Sequence, residues 1–278
     1  VVHTAIVQIP AINEMRDRAY QVNVLGTHNI SEIVKETSSV SGLILCGSWH
    51  VFGEREYETT VDVGFGYRPD KVEERAKLYV ISKMIQEGIV RFYNRMVEDK
   101  TYGVIRLGTV LGKDMPEKTA ANIFVTNGLQ GKPITPYKHT MHRPMLYVAI
   151  DDVCEIFRLL IDNVTQRDRG DEASNDHIFN LFYHEPITIL ELAETVKEAI
   201  ILHTQGMVVP RLEIIDTGLP SLFNEDEKRT LSVDISDTLD FFGIDELESP
   251  KDTISEIVRK KSQRMNLDQS EESRRRKS

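Results

Sequence analysis

A tyrosine and a lysine four positions apart, Tyr79 and Lys83, are of types that could perform acid–base chemistry together. They lie in residues 73–87, a run without Gly or Pro whose apolar residues at 78, 81, 84 and 85 predict an amphipathic helix. Side chains at i and i+4 share one helix face, so the lysine could stabilise the anion of a phenol whose ordinary pKa is about 10. The same spacing also suits a packed tyrosine ring beside a solvated lysine, so the surroundings must decide.

The segments around this pair predict alternating strands and helices. In order they are a strand at residues 1–7, a helix at 12–35, a strand at 43–46, a polar loop at 54–72, the Tyr79 helix continuing to about residue 96, and a strand at 102–107. The helix of residues 12–35 is expected to bury an apolar stripe made of Tyr20, Val22, Val24, Leu25, Ile30, Ile33 and Val34. Strand, helix, strand, helix, strand predicts an α/β fold with a doubly wound parallel sheet.

Small and polar residues follow the second strand, in the order Gly47, Ser48, Trp49 and His50. The carboxyl ends of parallel strands are where α/β sheets bind their ligands. This stretch is therefore a predicted part of a small-molecule site.

Composition excludes several other classes of function. The 278 residues carry a formal net charge of −10, which argues against a nucleic-acid partner because the phosphate backbone demands a basic face. The two cysteines, Cys46 and Cys154, lack metal-ligand spacing, so we expect no metal and interpret them as reduced core thiols of a cytoplasmic protein. No apolar run approaches 18 residues, and no membrane span is expected.

Five short motifs occur in order along the first 112 residues. They are His3-Thr4-Ala5, Asn23-Val-x-Gly-Thr27, Gly47-Ser-x-x-Val-Phe-Gly53, Tyr79-x-x-Ser-Lys83 and Arg106-x-x-Thr-Val-x-Gly112. In this order and at these separations they resemble the extended short-chain dehydrogenase/reductase family, whose typical members are NAD-dependent nucleotide-sugar epimerases and dehydratases. The resemblance continues to about Lys260 and implies a Rossmann fold.

The resemblance implies roles for the three central side chains. Tyr79 is then the acid/base that exchanges the hydroxyl proton as hydride moves to or from the nicotinamide. Lys83 would bind the nicotinamide ribose and lower the pKa of the tyrosine, and Ser48 would bond the same substrate oxygen.

The resemblance also implies a set of cofactor-binding residues. The cofactor would be NAD or NADP, lined by Tyr79, Lys83, Ser48, His3, Thr4, Ala5, Asn23, Leu107 and Gly108.

Departures from the family pattern bear on the substrate. Trp49 and His50 stand where sugar 4,6-dehydratases carry an Asp-Glu pair, which argues against a dehydratase of that type. Both are predicted to bind substrate, and His50 is either a further acid/base or a hydrogen-bonding wall. Arg143 matches an arginine that binds substrate phosphate, while Thr109 stands where UDP-sugar epimerases often have Asn. A nucleotide sugar is favoured over a smaller alcohol or ketone.

The family's Gly-rich dinucleotide fingerprint is not in this sequence, which opens at what resembles the fourth strand. About 60 residues would precede it, at roughly 30 per βαβ unit. The interpretation is an amino-terminally truncated fragment that is inactive by itself. The residue that distinguishes NAD from NADP would lie in the missing part.

The resemblance predicts how the chain divides. Residues 1–112 should form an incomplete NAD(P)-binding Rossmann domain, to which residues 145–183 return. Residues 113–144 and 184–260 should form the smaller substrate-binding part. Residues 261–278 are expected to be a disordered charged tail.

Two classes of function remain at this stage. The first is an NAD(P)-dependent epimerase or reductase, and the second is a non-catalytic relative that uses the fold as a cofactor-sensing or protein-binding scaffold. The presence of Ser48, Tyr79 and Lys83 together favours the enzyme. A homodimer is expected, formed by packing the helices of Asn23 and Tyr79 against a partner's copies.

Overall fold

The computed structural model describes residues 1–166 and 177–275, and it describes side chains of the last helix as far as Arg264. It divides into two compact units. The first is Val1–Gly108, Asp152–His184 and Leu231–Glu246, and the second is Thr109–Asp151, Glu185–Thr230 and Leu247–Ser278. In the described ranges no helix is long and apolar enough to cross a membrane.

The strands and helices follow in chain order. The strands are β1 Val2–His3, β2 Gly42–Ser48, β3 Thr101–Leu107, β4 Thr109–Leu111, β5 Pro144–Met145, β6 Tyr147–Ala149, β7 Ile178–Leu181 and β8 Ile187–Thr188. The helices are α1 Ala11–Glu14, α2 Arg16–Ala19, α3 Gly26–Glu36, α4 Lys77–Met96, α5 Ala120–Leu129, α6 Ile150–Gln166, α7 Ile189–His203, α8 Glu227–Thr230, α9 Ser236–Phe242 and α10 Pro250–Arg275.

The first unit holds a four-stranded parallel sheet in the order β1-β2-β3-β7. Its helices flank the sheet, and Leu43, Leu45 and Val104 pack against Val90 and Tyr93 of α4 in one core cluster. The predicted α/β class and parallel sheet are confirmed. The predicted strands at 43–46 and 102–107 form within β2 and β3.

The first predicted strand is shorter than expected. Only Val2–His3 pair with β2, and Val1 and Val2 are exposed rather than buried. The physical reason lies at Val7, whose N–H and C=O bond the side chain of Asn23 at 2.7 and 3.0 Å. That bonding holds the end of the segment in a loop.

The helix predicted at 12–35 is interrupted, and its predicted apolar stripe is only partly buried: Val34 is in the core and Ile30 packs against it. A π-helical turn, Tyr20–Leu25, joins α2 to α3. Tyr20 and Leu25 are exposed, and so is Ile33 at 60%. The buried side chains of this stretch are largely small and polar, and they are Ala19, Asn23, Thr27, Ser31 and Val34.

Internal hydrogen bonds explain why this polar face can be buried. The Thr27 hydroxyl donates to the Asn23 carbonyl at 2.7 Å, and the Ser31 hydroxyl donates to the Thr27 carbonyl at 2.8 Å. Because buried polar groups cost little once bonded, these small side chains can face α4.

The second unit has two short sheets and a helical layer. Strands β4 and β6 pair in parallel, β5 and β8 pair antiparallel, and α7 packs against both α5 and α10. Some segments fall differently from the predicted division. Residues 109–112 and 145–151 belong to this second unit, and residues 184 and 231–246 belong to the first.

The tail predicted to be disordered is largely helical. Helix α10 continues to Arg275, while residues 276–278 lie outside the described part. Residues 261–275 contain no Gly or Pro and are rich in Lys, Arg, Gln and Glu, all strong helix formers. The cysteines are unpaired, but Cys154 is exposed rather than in the core.

Candidate active site

The carboxyl ends of β2 and β3 bring two predicted site residues side by side. Ser48, the last residue of β2, is in register with Leu107, the last residue of β3. Gly108 follows and donates its N–H to the carbonyl of Leu181 at 2.9 Å. The edge predicted to bind ligand therefore carries both a hydroxyl and a closely packed backbone.

Tyr79 lies one turn before Lys83 on α4, as the spacing predicted. The Tyr79 hydroxyl and the Ser48 hydroxyl are hydrogen-bonded to each other. Burial raises the pKa of Tyr79 to about 12, whereas the bond to Ser48 acts in the opposite direction. In the protein alone, Tyr79 is therefore a protonated phenol across the neutral range.

The Lys83 amino group is buried, with 4% of the residue exposed, and donates to the Cys46 carbonyl at 2.7 Å. Burial lowers the pKa of Lys83. Burial also raises the pKa of the Cys46 thiol, and the charge of Lys83 partly offsets that rise. The environment thus disfavours charge on Lys83 as well as on Tyr79.

His50 lies within reach of Ser48 on the turn that follows β2. Its Nδ1 is 3.2 Å from the Ser48 Oγ, and its Nε2 is 3.5 Å from Oε1 of Glu54, a residue with no exposed surface. The ring lies edge-on to Tyr79, with centroids 6.1 Å apart. His50 therefore adjoins the predicted catalytic group.

Glycine at position 53 allows Glu54 to turn back toward His50. Gly53 has φ +83°, a left-handed conformation, and a Cβ there would lie 2.8 Å from the Cβ of Lys71. The other carboxylate oxygen of Glu54 accepts the N–H of Glu73 at 3.1 Å. Glu54 was not among the predicted site residues, because a carboxylate in a polar loop gives no sequence signal of burial.

His3, predicted to line a cofactor, is buried in a hydrogen-bond network behind the site. Its Nε2 is 2.9 Å from the Thr27 Oγ1, which also accepts from Gln86 at 3.0 Å. The Thr27 hydroxyl proton is donated to the Asn23 carbonyl, so the His3 Nε2 must carry the donated hydrogen. Burial lowers the pKa of His3, and the charge of Lys83 lowers it further.

Thr4 and Ala5 follow β1 and are exposed at the carboxyl end of that strand. They lie at the same edge of the sheet as Ser48, because β1 and β2 run parallel. The described contacts assign them no ligand role. Their part in cofactor binding stays a prediction.

The Asn23 side chain is bonded inside the protein. The amide has no exposed surface, and its two N–H groups donate to the Val7 carbonyl and to the Ser82 hydroxyl, at 3.0 and 3.1 Å. Asn23 instead fixes the loop after β1 against α4. Both amide donors are taken inside the protein, and the prediction that Asn23 lines the cofactor stays a prediction.

Trp49, predicted to bind substrate, has only 1% of its surface exposed. Its ring lies against His50, with centroids 4.3 Å apart. A side chain this buried has almost no surface for a substrate. The structure therefore makes Trp49 a packing partner of His50.

Thr109 and Arg143, both predicted to bind substrate, belong to the second unit. Thr109 opens β4 and is half-buried. The Arg143 guanidinium lies over the ring of Phe223, 5.9 Å from its centroid, with 7% of the residue exposed. Their roles stay predictions.

A buried ion pair anchors α4 to the sheet. Arg106 of β3 donates to both carboxylate oxygens of Glu87, with its Nη2 2.6 Å from Oε1, and both side chains are 1% exposed. Glu87 lies two turns after Tyr79, so the pair fixes the helix that carries Tyr79. Sequence reasoning missed Glu87, although Arg106 lay in a recognised motif.

A phenol, a lysine and a serine hydroxyl lie together at the carboxyl edge of a parallel sheet, on a Rossmann-like fold. The chain belongs to the NAD-dependent epimerase/dehydratase family, whose model matches residues 1–180. A comparison with curated proteins found no match. Within the described residues, no cluster of three or more His, Cys, Asp or Glu could hold a metal ion.

Solved structures of the same fold include three that carry NAD. MoeE5 in complex with UDP-glucose and NAD has a TM-score of 0.72 and 14% identity, covering 96% of this chain and 79% of its own. UDP-glucose 4-epimerase of Thermus thermophilus with NAD has a TM-score of 0.69 and 20% identity, covering 93% and 76%. UDP-glucuronic acid 4-epimerase from Bacillus cereus with NAD has a TM-score of 0.66 and 16% identity, covering 92% and 72%.

Proposed function

We propose that this protein is an NAD-dependent epimerase or oxidoreductase of nucleotide-sugar type, with Tyr79 as the acid/base. Its membership of the NAD-dependent epimerase/dehydratase family supports this class of reaction. Structures of similar fold are complexes of other proteins with NAD and UDP-sugars, which favours a nucleotide sugar over a smaller alcohol or ketone.

The observation that carries the proposal is the grouping of Tyr79, Ser48 and Lys83. The phenol and serine hydroxyl are bonded to each other, and the lysine lies one helical turn away. A scaffold has no physical need for this grouping. An enzyme that moves a proton to and from a substrate hydroxyl does.

The donors near Lys83 fit a nicotinamide ribose. An ammonium has three N–H donors, and within the described residues the lysine makes one hydrogen bond, to the Cys46 carbonyl. The remaining N–H groups are suited to the two ribose hydroxyls. NAD, when bound, supplies the hydride acceptor, and its positive ring favours the anionic form of a nearby phenol.

Tyr79 then takes the proton of the substrate hydroxyl and later returns it. Ser48 can donate to the same oxygen and orient it. Because burial raises the pKa of Tyr79 to about 12, the phenol is a poor base until positive charge or a proton acceptor is brought near it.

Arg143 is proposed to bind the substrate diphosphate. A guanidinium is planar, stays charged and can form paired hydrogen bonds to phosphate oxygens. Its position over Phe223 restrains the head group. Thr109, also of the second unit, is proposed to contact the sugar nucleotide through its hydroxyl.

We also propose a homodimer. Large apolar side chains are exposed on the helices expected to pair, namely Leu25 at the end of the π-helical turn, Ile33 of α3, and Ile81, Phe92 and Met96 of α4. Ile81, Phe92 and Met96 are separated by eleven and by four residues, so their side chains lie on one face of α4. An exposed apolar stripe of this kind favours packing against a second copy.

The experiment is to purify the natural full-length protein, release bound nucleotide with acid and identify it by mass. Tightly bound NAD would support an epimerase that recycles its cofactor, and UDP-sugars would be screened next. If none is bound, NADH is titrated by fluorescence. Exchangeable binding would favour a reductase, and no binding of NAD(H) or NADP(H) would overturn the proposal in favour of the scaffold.

A further inference from the structure

A buried carboxylate that the proposed reaction does not use lies close to the acid/base residue. Glu54 has no exposed surface and lies 3.5 Å from the Nε2 of His50. Burying a carboxylate is costly unless a partner of opposite charge or a hydrogen-bond donor compensates. A group kept at this cost next to a proposed site is a candidate for function.

The hydrogens along this cluster can be assigned from elementary chemistry. An ionised carboxylate only accepts, so the His50 Nε2 carries a hydrogen directed at Glu54. In a neutral ring the Nδ1 then accepts, and at 3.2 Å the Ser48 hydroxyl donates to it. With its one hydrogen directed at His50, the Ser48 oxygen is left to accept from the hydroxyl of Tyr79, with which it is hydrogen-bonded. The side-chain donors therefore point from Tyr79 toward Glu54, while the backbone N–H of His50 also donates to the Ser48 oxygen at 3.4 Å.

We propose that His50 and Glu54 form a proton relay that accepts the Tyr79 proton through Ser48. The inference rests on the proposed function, because it assigns how the Tyr79 anion is produced. His50 and Glu54 are positioning residues, since they act through Ser48 rather than on substrate.

The proton transfer conserves atoms and charge. The Tyr79 O–H bond breaks and its proton bonds the Ser48 Oγ, while the proton that Ser48 carried moves to the His50 Nδ1. The products are a phenolate and an imidazolium in place of a phenol and a neutral imidazole. Glu54 stays anionic throughout, so the net charge of the group is unchanged. The imidazolium lies between two anions, and both stabilise it.

Other charged groups on the neighbouring elements have partners of their own. The turn of residues 49–52 packs against α4 and against the 3₁₀ turn Pro69–Lys71. Their pairings are Lys71 with Glu56 and Asp70, Arg68 with the Glu56 carbonyl, Lys77 with Glu74, Lys83 with the Cys46 carbonyl, and Glu87 with Arg106. Among the described contacts, the carboxylate beside the imidazole of His50 is that of Glu54.

The kinetic test uses Glu54→Gln in the natural full-length protein. The amide keeps the shape and can still accept from Glu73, but it removes the negative charge. We expect kcat to fall about tenfold or more, with KM changed less than about threefold, because the loss is in proton transfer and not in binding. Glu56→Gln, which neutralises an exposed carboxylate two residues away, is the matched control and should leave kcat unchanged.

The spectroscopic test follows the ring of His50 by NMR. Replacing the Glu54 carboxylate with a neutral amide should lower the titration midpoint of His50, because a nearby opposite charge favours the protonated ring. A role limited to packing would leave this midpoint in place. His50→Gln provides a second kinetic variant at a partly exposed position if the Glu54 variant fails to fold, and it should lose kcat to a similar degree.

The outcomes separate the relay from the proposed function. If Tyr79→Phe abolishes turnover but Glu54→Gln and His50→Gln retain wild-type kcat, the relay is wrong and the proposed function stands. If Tyr79→Phe retains turnover, the proposed function itself is wrong. Equal losses in Glu54→Gln and Glu56→Gln, or an unchanged His50 midpoint, would also overturn the relay.

Discussion

The ion pair between Arg106 and Glu87 gives the sharpest prediction about how the site is held. Arg106 donates to Glu87 through three hydrogen bonds of 2.6 to 3.2 Å and to the Val63 carbonyl at 3.0 Å. Tyr67 also donates to Glu87, at 2.8 Å. Replacing the arginine leaves a buried carboxylate without this cation.

We expect Arg106→Met to lower the free energy of unfolding by about 3–5 kcal/mol, the cost of removing one partner of a buried pair. At a few degrees for each kcal/mol, the melting temperature should fall by roughly 10 °C. The double variant Arg106→Met/Glu87→Met should be more stable than Arg106→Met alone, because no charge is then left buried. Urea denaturation and thermal melting measure both.

Arg158→Met is the matched control in the same unit. Arg158 of α6 pairs with Glu155 and Asp162 at 2.6 and 2.8 Å, but its side chain is 55% exposed. Exposed pairs contribute about 0–1 kcal/mol, so this change should have little effect. The reasoning would be refuted if Arg106→Met cost no more than Arg158→Met, or if the double variant were as unstable as the sum of the single changes.

Three further predictions concern other parts of the chain. Phe92→Asp, at a side chain 60% exposed on α4, should convert the proposed dimer to a monomer in light scattering. The control Leu202→Asp, at an exposed position of α7, should leave the measured mass unchanged. A Phe92→Asp variant that stays dimeric would contradict the interface. Burial lowers the pKa of His3, so the neutral ring's contribution to stability is complete above the ordinary pKa of about 6.5 and is lost as pH falls through the lowered pKa. His3→Gln should therefore flatten the dependence of the unfolding free energy on pH below about 6.5. An unchanged slope would argue against this contribution of His3. Thr188→Ala removes the capping box of α7 and should cost about 1 kcal/mol by urea denaturation, whereas no loss would show that the cap does not contribute.

The sequence was most informative where pattern and chemistry coincide. The run around Tyr79 combines helix formers with an apolar period, and α4 forms there. Continuous apolar runs predicted β2 and β3, because fully buried parallel strands need apolar residues on both faces. Ser48 was found because it lies just past the predicted apolar run 43–46, at the last position of β2.

The helix before β2 shows why periodicity alone can mislead. Counting apolar residues selected a stripe in which Val34 is buried but Tyr20, Leu25 and Ile33 are exposed. The buried face is made by small polar residues whose hydroxyls bond carbonyls of their own helix, which a hydrophobic pattern does not register.

Glu54 was beyond sequence reasoning for a different reason. Its burial depends on the left-handed turn at Gly53 and on a bond to the N–H of Glu73, nineteen residues along the chain. Contacts of that range arise only when the loop is folded. The helical end of α10 was missed because a charged composition was taken to mean disorder.

The central claim is that Tyr79 is the acid/base of an NAD-dependent reaction on a nucleotide sugar. The most direct measurement compares turnover of a panel of UDP-sugars by the natural full-length protein and by Tyr79→Phe, each with its NAD content determined. Loss of the hydroxyl should slow conversion by about 10²–10⁴-fold while NAD is retained. Equal turnover by the two proteins, or no conversion of any UDP-sugar by NAD-loaded wild type, would contradict the claim.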